Sequence, residues 1–175
     1  PSLRLFDNWA ERFSVALIGL ALVLAGMAYV DPVFQGLRGA MTGRSAVFWE
    51  IVTDVGKSGW VLIPSGVLIL LFLAVLPPVR GFADRVMLAL AARVAFVFIA
   101  VGGSGLIVTT VKRIIARGRP RYFEEFGSLH FQFPTWQASY ASFPSGHSQT
   151  AFAIALSFAA LFPRWRTPLI AAAVV

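Results

Sequence analysis

Uncharged apolar runs occupy residues 13–30, 60–79 and 94–111, each bounded by charge or proline. Runs of this length approach or cross a hydrocarbon core of roughly 30 Å. A fourth run, 148–162, would extend only about 22 Å as a helix rising about 1.5 Å per residue, so it needs flanking residues or a thinner bilayer to cross. A fifth, 167–175, stops short of the ~20 residues a crossing takes. The pattern predicts an all-α fold, a polytopic transmembrane helical bundle with five spans visible and the fifth truncated. The first run has no small-residue cleavage site and is followed by Asp31-Pro32, so it is expected to stay in the protein rather than to be removed as a signal. With Pro at position 1 and the last run cut short, the chain is expected to be a fragment of one integral membrane domain, residues 1–175, incomplete at its C-terminus.

The polar stretches between these runs differ in kind. Residues 31–59 carry turn signals, Asp-Pro and Thr-Gly, around the short apolar piece AVFWEIV, which reads as an interfacial helix with Trp49 and Trp60 at headgroup level. PPVRGFADR is a tight basic turn. Gly102, Gly103, Ser104 and Gly105 interrupt the third run with small residues that let a neighbouring backbone approach, a packing role. The connection that follows, from Lys112 to His147, is aromatic and far longer than the ~12–15 residues beyond which loops are usually functional or disordered. PRWR then turns the chain into the fifth run.

Composition agrees with the pattern. The chain has 175 residues, 58% of them hydrophobic and 13% charged, and a mean hydropathy of +0.76, far from soluble usage. It has no cysteine, which excludes disulfides, thiolate metal sites and a Cys nucleophile. A net charge of +7 in a largely intramembrane chain points to lipid headgroups or phosphates; there is little surface for a nucleic-acid groove.

Two short motifs carry candidate chemistry. In KRIIARGRP, Lys112 and Arg119 are seven residues apart, almost two helical turns, so a continuing helix puts both on one side and Arg113 and Arg117 on another. Pro120 disfavours α conformation at Arg119 and Gly118 loosens the preceding turn, which sets Arg119 where the helix breaks. A guanidinium fork and a compact ammonium at different heights suit one phosphate; the alternative is a row of snorkelling interfacial cations. In SFPSGHS, Pro144 suits the first turn of a helix. The N–H groups around Ser145, Gly146, His147 and Ser148 then face outward at a positive dipole end, an anion site. Gly146 admits an oxyanion close to the backbone and the Ser145 hydroxyl donates once more. His147 exchanges protons near neutrality, and beside a phosphate its imidazolium form is favoured for protonating a leaving oxygen. Read alone, this stretch is closer to a plain helix entry with an interfacial His than to an active site.

Together, Lys112, Arg119 and Pro120 followed by Pro144, Ser145, Gly146 and His147 resemble the first two signature motifs of the type 2 phosphatidic acid phosphatase superfamily, in its membrane branch of lipid phosphate and polyprenyl pyrophosphate phosphatases. The span pattern, aromatic loop and PRWR turn extend the likeness over most of the chain. The resemblance implies that Lys112 and Arg119 clamp the phosphate, Ser145 and Gly146 bind its oxygens, and His147 is the general acid. It also implies metal-independent chemistry without a cofactor, a bundle of six spans, and an extracytoplasmic active site, in bacteria at the inner membrane. The family's third motif, an Arg, a nucleophilic His and an orienting Asp, has no match after His147 and is expected beyond residue 175. His130 is a poor stand-in, since no carboxylate stands at a telling spacing; it reads as a residue of a flexible lid, where Glu124 and Glu125 pair with Arg117 or Arg121, or tune headgroup access.

Charge does not orient the chain. Arg4, Arg12, Arg80, Arg85, Arg164 and Arg166 fall on one face; Arg38, Arg44, Lys57, Lys112, Arg113, Arg117, Arg119 and Arg121 fall on the other. The count levels once Lys112 and Arg119 are set aside as ligands. The expected activity is hydrolysis of a lipid phosphate or pyrophosphate, undecaprenyl pyrophosphate included, through a phosphohistidine. The alternatives are a lipid-to-lipid phosphotransferase and a non-catalytic protein that binds or transports anionic lipid. The partner is the anionic lipid in the bilayer; nothing in the sequence speaks to oligomeric state.

Overall fold

The computed structural model describes residues 8–40, 43–75 and 81–174. The 76–80 turn, Arg4 and the side chains of Arg38, Arg44, Trp49, Arg121 and Glu124 lie outside the described residues. The described chain is helical: α1 Trp9–Ala25, α2 Asp31–Ala40, α3 Arg44–Val55, α4 Gly59–Val75, α5 Phe82–Ile115, α6 Phe123–Phe126, α7 Gly146–Leu161 and α8 Arg166–Val174. The one β-type pairing among the described residues is an isolated bridge between Arg117 and Phe131. By length and hydropathy, two continuous helices, Trp9–Leu37 and Phe82–Ile115, can cross a membrane, and Gly59–Val75 is a shorter apolar helix.

Asp31-Pro32 does not turn the chain. α1 and α2 form one rod, joined by a π-helical turn, Gly26–Val30. There the Asp31 N–H reaches back five residues to the Gly26 carbonyl. Pro32, the next residue in that register, has no N–H to offer, so the Met27 carbonyl is left without a helical donor. Arg117 fills the gap from across the fold, its Nη2 donating to that carbonyl at 3.2 Å. The helix passes through the proline because a side chain replaces the missing hydrogen bond.

α4, α5 and α7 pack around Val61, Val97 and Val101, with Leu62, Ala153, Ile154 and Leu161 against them. α7 presents Thr150, Ala155, Ser157 and Ala159 inward, small side chains that bring helices close. Two of the α5 glycines work as packing residues on the same principle: a Cβ on Gly102 would meet Leu62 at 3.6 Å, and one on Gly105 would meet the Gln149 amide oxygen at 3.6 Å, whereas one on Gly103 would meet nothing within 4 Å. Gln149 itself donates to Ser104 Oγ at 2.6 Å, so a polar clasp joins α5 to α7 beneath their ends. α1 buries none of its residues. Its outward leucines and valines are groups that lipid solvates at no cost.

Candidate active site

Ser145 is the N-cap of α7, extended at φ −71°, ψ 123°. Its Oγ accepts the Ser148 N–H at 3.3 Å, and its carbonyl accepts the Gln149 N–H at 3.1 Å. The expected row of free donors is therefore shorter than the sequence suggests: Ser148 is capped, while the N–H groups of Gly146 and His147 have no partner among the described residues. The Ser145 hydroxyl proton is likewise unengaged among them. Pro144 stands outside the helix, before the cap, in a cis bond to Phe143; the cap, not the proline, starts α7.

Opposite this start lies the end of α5. A Cβ on Gly146 would sit 3.7 Å from Lys112 Nζ, so the ammonium stands against the bare backbone of the helix start. Lys112, Gly146 and His147 line one cleft of about 490 Å³, whose other walls are the 56–59 corner and the glycine face of α5. Ser145 opens instead onto a neighbouring hollow of about 470 Å³, with Asp31, Arg117 and Ser142.

Lys112 and Arg119 do not share a helix face. α5 stops at Ile115, where Ala116 turns left-handed (φ 50°, ψ 49°) and returns its N–H to the Lys112 carbonyl. The cause is the loop that follows. Gln132 N–H binds the Ala116 carbonyl at 2.9 Å, Gly118 N–H binds the His130 carbonyl at 2.9 Å, and Arg119 N–H binds the Ser139 carbonyl at 3.0 Å. These bonds replace the helical ladder four residues before Pro120. Arg119 is extended (φ −74°, ψ 156°), as a residue before proline should be. It is exposed and outside the cleft lining, although its charge still acts on Lys112. Of the expected ligands, Lys112, Gly146 and His147 meet in one cleft; Ser145 lines the neighbouring hollow and Arg119 lines neither.

The aromatic connection is tethered rather than flexible. Arg113 donates to the Trp136 carbonyl and lies over its ring at 5.7 Å. Ser142 Oγ donates to the carbonyls of Arg117 and Gly118 at 3.1 and 2.8 Å. His130 packs between Phe126 and Tyr140, ring centroids at 4.7 and 5.7 Å.

Arg117 is no snorkelling cation. Its side chain is 4% exposed and pairs with Asp31 at 2.5 Å, not with Glu125. It also donates to the Ser128 carbonyl through Nε at 3.0 Å and Nη2 at 2.8 Å, and lies over Phe123 at 5.2 Å.

Three contributors have roles that sequence reading does not assign: Arg117, which holds the loop to the first helix; Gln149, whose amide braces α7 on α5; and the 56–59 corner, which walls the cleft. Asp31 at the end of an apolar run and Gln149 inside one are polar residues in costly places, the signal that marks the first two. DVGKSG gives no such signal, because Gly and Ser there read as an ordinary turn.

Comparison with known proteins identifies the family. The PAP2 superfamily profile matches residues 93–175, which include both motifs. Lipid A 1-phosphatase of Rhizobium etli (strain CFN 42) is 37% identical over 163 residues, 89% of this chain and 68% of that protein. Lipid A 1-phosphatase of Rhizobium johnstonii is 36% identical over 131 residues, 71% of this chain and 52% of that protein. No solved structure matches. The chain therefore belongs to the PAP2 superfamily, among its membrane lipid phosphatases.

Proposed function

We propose that this protein removes a phosphate monoester from a lipid A-type glycolipid, the substrate class named for its relatives, and that the cleft at the α5–α7 ends is its active site. One observation carries the reading: Lys112, Gly146 and His147 line one cleft, with Lys112 Nζ 3.7 Å from where a Cβ on Gly146 would stand, at a helix start whose Gly146 and His147 N–H groups have no partner among the described residues. An ammonium and a helix start offer fixed positive potential for phosphate oxygens, and an imidazole beside them supplies a proton. Arg119 and Ser145 stand outside the cleft lining, and their roles toward the phosphate rest on the family resemblance alone.

The reaction joins these parts to a nucleophile they do not include. The nucleophilic histidine that the family resemblance implies attacks phosphorus in line, the P–O bond to the sugar breaks, and His147 gives its proton to the departing oxygen. Water then hydrolyses the phosphohistidine, releasing inorganic phosphate. Lys112 and the Gly146 and His147 N–H groups hold the equatorial oxygens through both steps.

The proposal includes a polytopic bundle in which the α1–α2 rod, α4, α5, α7 and α8 cross the membrane, with the cleft at the extracytoplasmic face of a bacterial inner membrane. A reporter fused at residue 130 is expected to report the periplasm; cytoplasmic activity contradicts this orientation. His147→Ala in the full-length protein is expected to stay folded and lose about 10²–10⁴ in turnover, the usual worth of a general acid. Wild-type turnover in that variant refutes the assignment. Phosphate release across lipid A, phosphatidate, phosphatidylglycerol phosphate and undecaprenyl pyrophosphate identifies the substrate.

A further inference from the structure

The α3–α4 corner touches the proposed acid. Gly56 ends α3 at φ −74°, ψ −3°, a conformation open to any residue, so its backbone does not ask for glycine. Space does. A Cβ on Gly56 would stand 2.8 Å from the Cβ of His147, 3.1 Å from its Cα and 3.1 Å from its Cδ2. Two of these atoms are the root of the side chain, in the first turn of α7, and the third belongs to the imidazole. No rotamer change at His147 relieves all three. Ordinary carbon contacts lie at roughly 3.5–4.0 Å, so an alanine here must move the imidazole and its anchor by nearly 1 Å. Gly59, in the same corner and the same cleft wall, has only Ile63 Cδ1 at 4.0 Å.

We propose that Gly56 is a positioning residue for His147: its bare backbone is the wall against which the imidazole rests, and it sets where the proton is delivered. The assignment rests on the reading of His147 as general acid. It explains why a connection far from both motifs in sequence closes the cleft. The corner is fixed by backbone bonds from Gly56 to Thr53 and from Lys57 to Asp54, both 3.0 Å, so the wall is held independently of the histidine it supports. Displacing a catalytic group by about 1 Å can cost about 10²-fold.

The test uses the full-length enzyme in detergent with two substrates, lipid A, whose sugar oxygen needs a proton to leave, and p-nitrophenyl phosphate, whose phenolate does not. His147→Ala alone tests the acid: a loss much larger on lipid A than on the aryl ester supports it, and equal losses overturn that reading while leaving the Gly56 comparison standing. Gly56→Ala is expected to lower kcat on lipid A by about 10- to 100-fold with KM within about twofold, to spare the aryl ester, and to add little in the His147→Gly background, where the Cβ and ring it strikes are gone. Gly19→Ala, whose Cβ would meet nothing within 4 Å and which lies outside the cleft, is expected to behave as wild type. Unchanged kcat in Gly56→Ala, or a loss that adds fully to that of His147→Gly, overturns the proposal. Should Gly56→Ala not fold, the pair Gly56→Ala/His147→Gly decides: recovery of folding assigns the clash to the His147 side chain, and continued failure overturns the proposal.

Discussion

Replacing Arg117 by alanine should unfasten the active-site loop from the first helix, and the structure says by how much. The guanidinium serves three acceptors: the Met27 carbonyl, the Ser128 carbonyl and the Asp31 carboxylate. Met27 is 5% exposed, and its carbonyl, already denied a helical donor by Pro32, would be orphaned at about 1–3 kcal/mol. Breaking a fully buried ion pair costs roughly 3–5 kcal/mol, but the Asp31 side chain is 43% exposed and regains solvent, which lowers that contribution to about 1 kcal/mol. The Ser128 carbonyl is half-buried and can rehydrate. Arg117→Ala is thus expected to destabilise the protein by about 3 kcal/mol, measured by equilibrium unfolding of the full-length protein in mixed micelles. Arg117→Lys keeps the charge but not the fork that spans several acceptors, and should recover less than half of that. Asp31→Asn, which retains an oxygen for Nη1, should cost about 1 kcal/mol. A stability of Arg117→Ala within about 0.5 kcal/mol of wild type, the range of an ordinary surface change, refutes the view that this side chain replaces a helical hydrogen bond.

Four further outcomes are expected. Lys112→Ala should lower kcat/KM by about 10²–10³, the worth of one preorganised group at a developing charge, with partial recovery in Lys112→Arg, measured as phosphate release from lipid A. Gly146→Ala should fold, since its Cβ meets only ordinary contact at 3.7 Å, yet lose activity because the methyl stands between Lys112 and the backbone donors; thermal unfolding beside turnover separates the two effects. Ser145→Ala should lose about 1 kcal/mol of α7 stability with its cap as well as activity. Ser145→Asp should restore the cap, an excellent role for a carboxylate, while its charge opposes phosphate, so stability returns and turnover does not.

What could be read from the sequence, and what could not, divides by the range of the forces involved. Helices over most of 13–30, 60–75 and 94–111 were legible because long apolar runs dictate them locally, and the two motifs were legible because their chemistry is written in adjacent residues. The end of α5 was not: Gly118 and Pro120 suggest a break near Arg119, but backbone donors from residue 132 and beyond take over the ladder at Ala116. Asp31-Pro32 misled for a similar reason, since the group that rescues the helix there, Arg117, is remote in sequence. Pro144 was assigned to the first turn on propensity, whereas Ser145 caps the helix one residue later. The contact of Gly56 with His147 joins two stretches with no common pattern, and only the packed structure brings them together.

The π-helical turn at Gly26–Val30 has a consequence for comparing relatives. An α-helix advances about 100° per residue, so one extra residue in a turn resets the angular phase of everything that follows. A homologue without this turn would present its position 31 equivalent about a quarter-circle away from the loop, and its acid partner for Arg117 would have to come from an adjacent position. Gap-free alignment of the first helix would then pair non-equivalent residues, and a chimera that exchanges this helix must carry residues 26–32 as one cassette to keep its carboxylate in phase with the arginine.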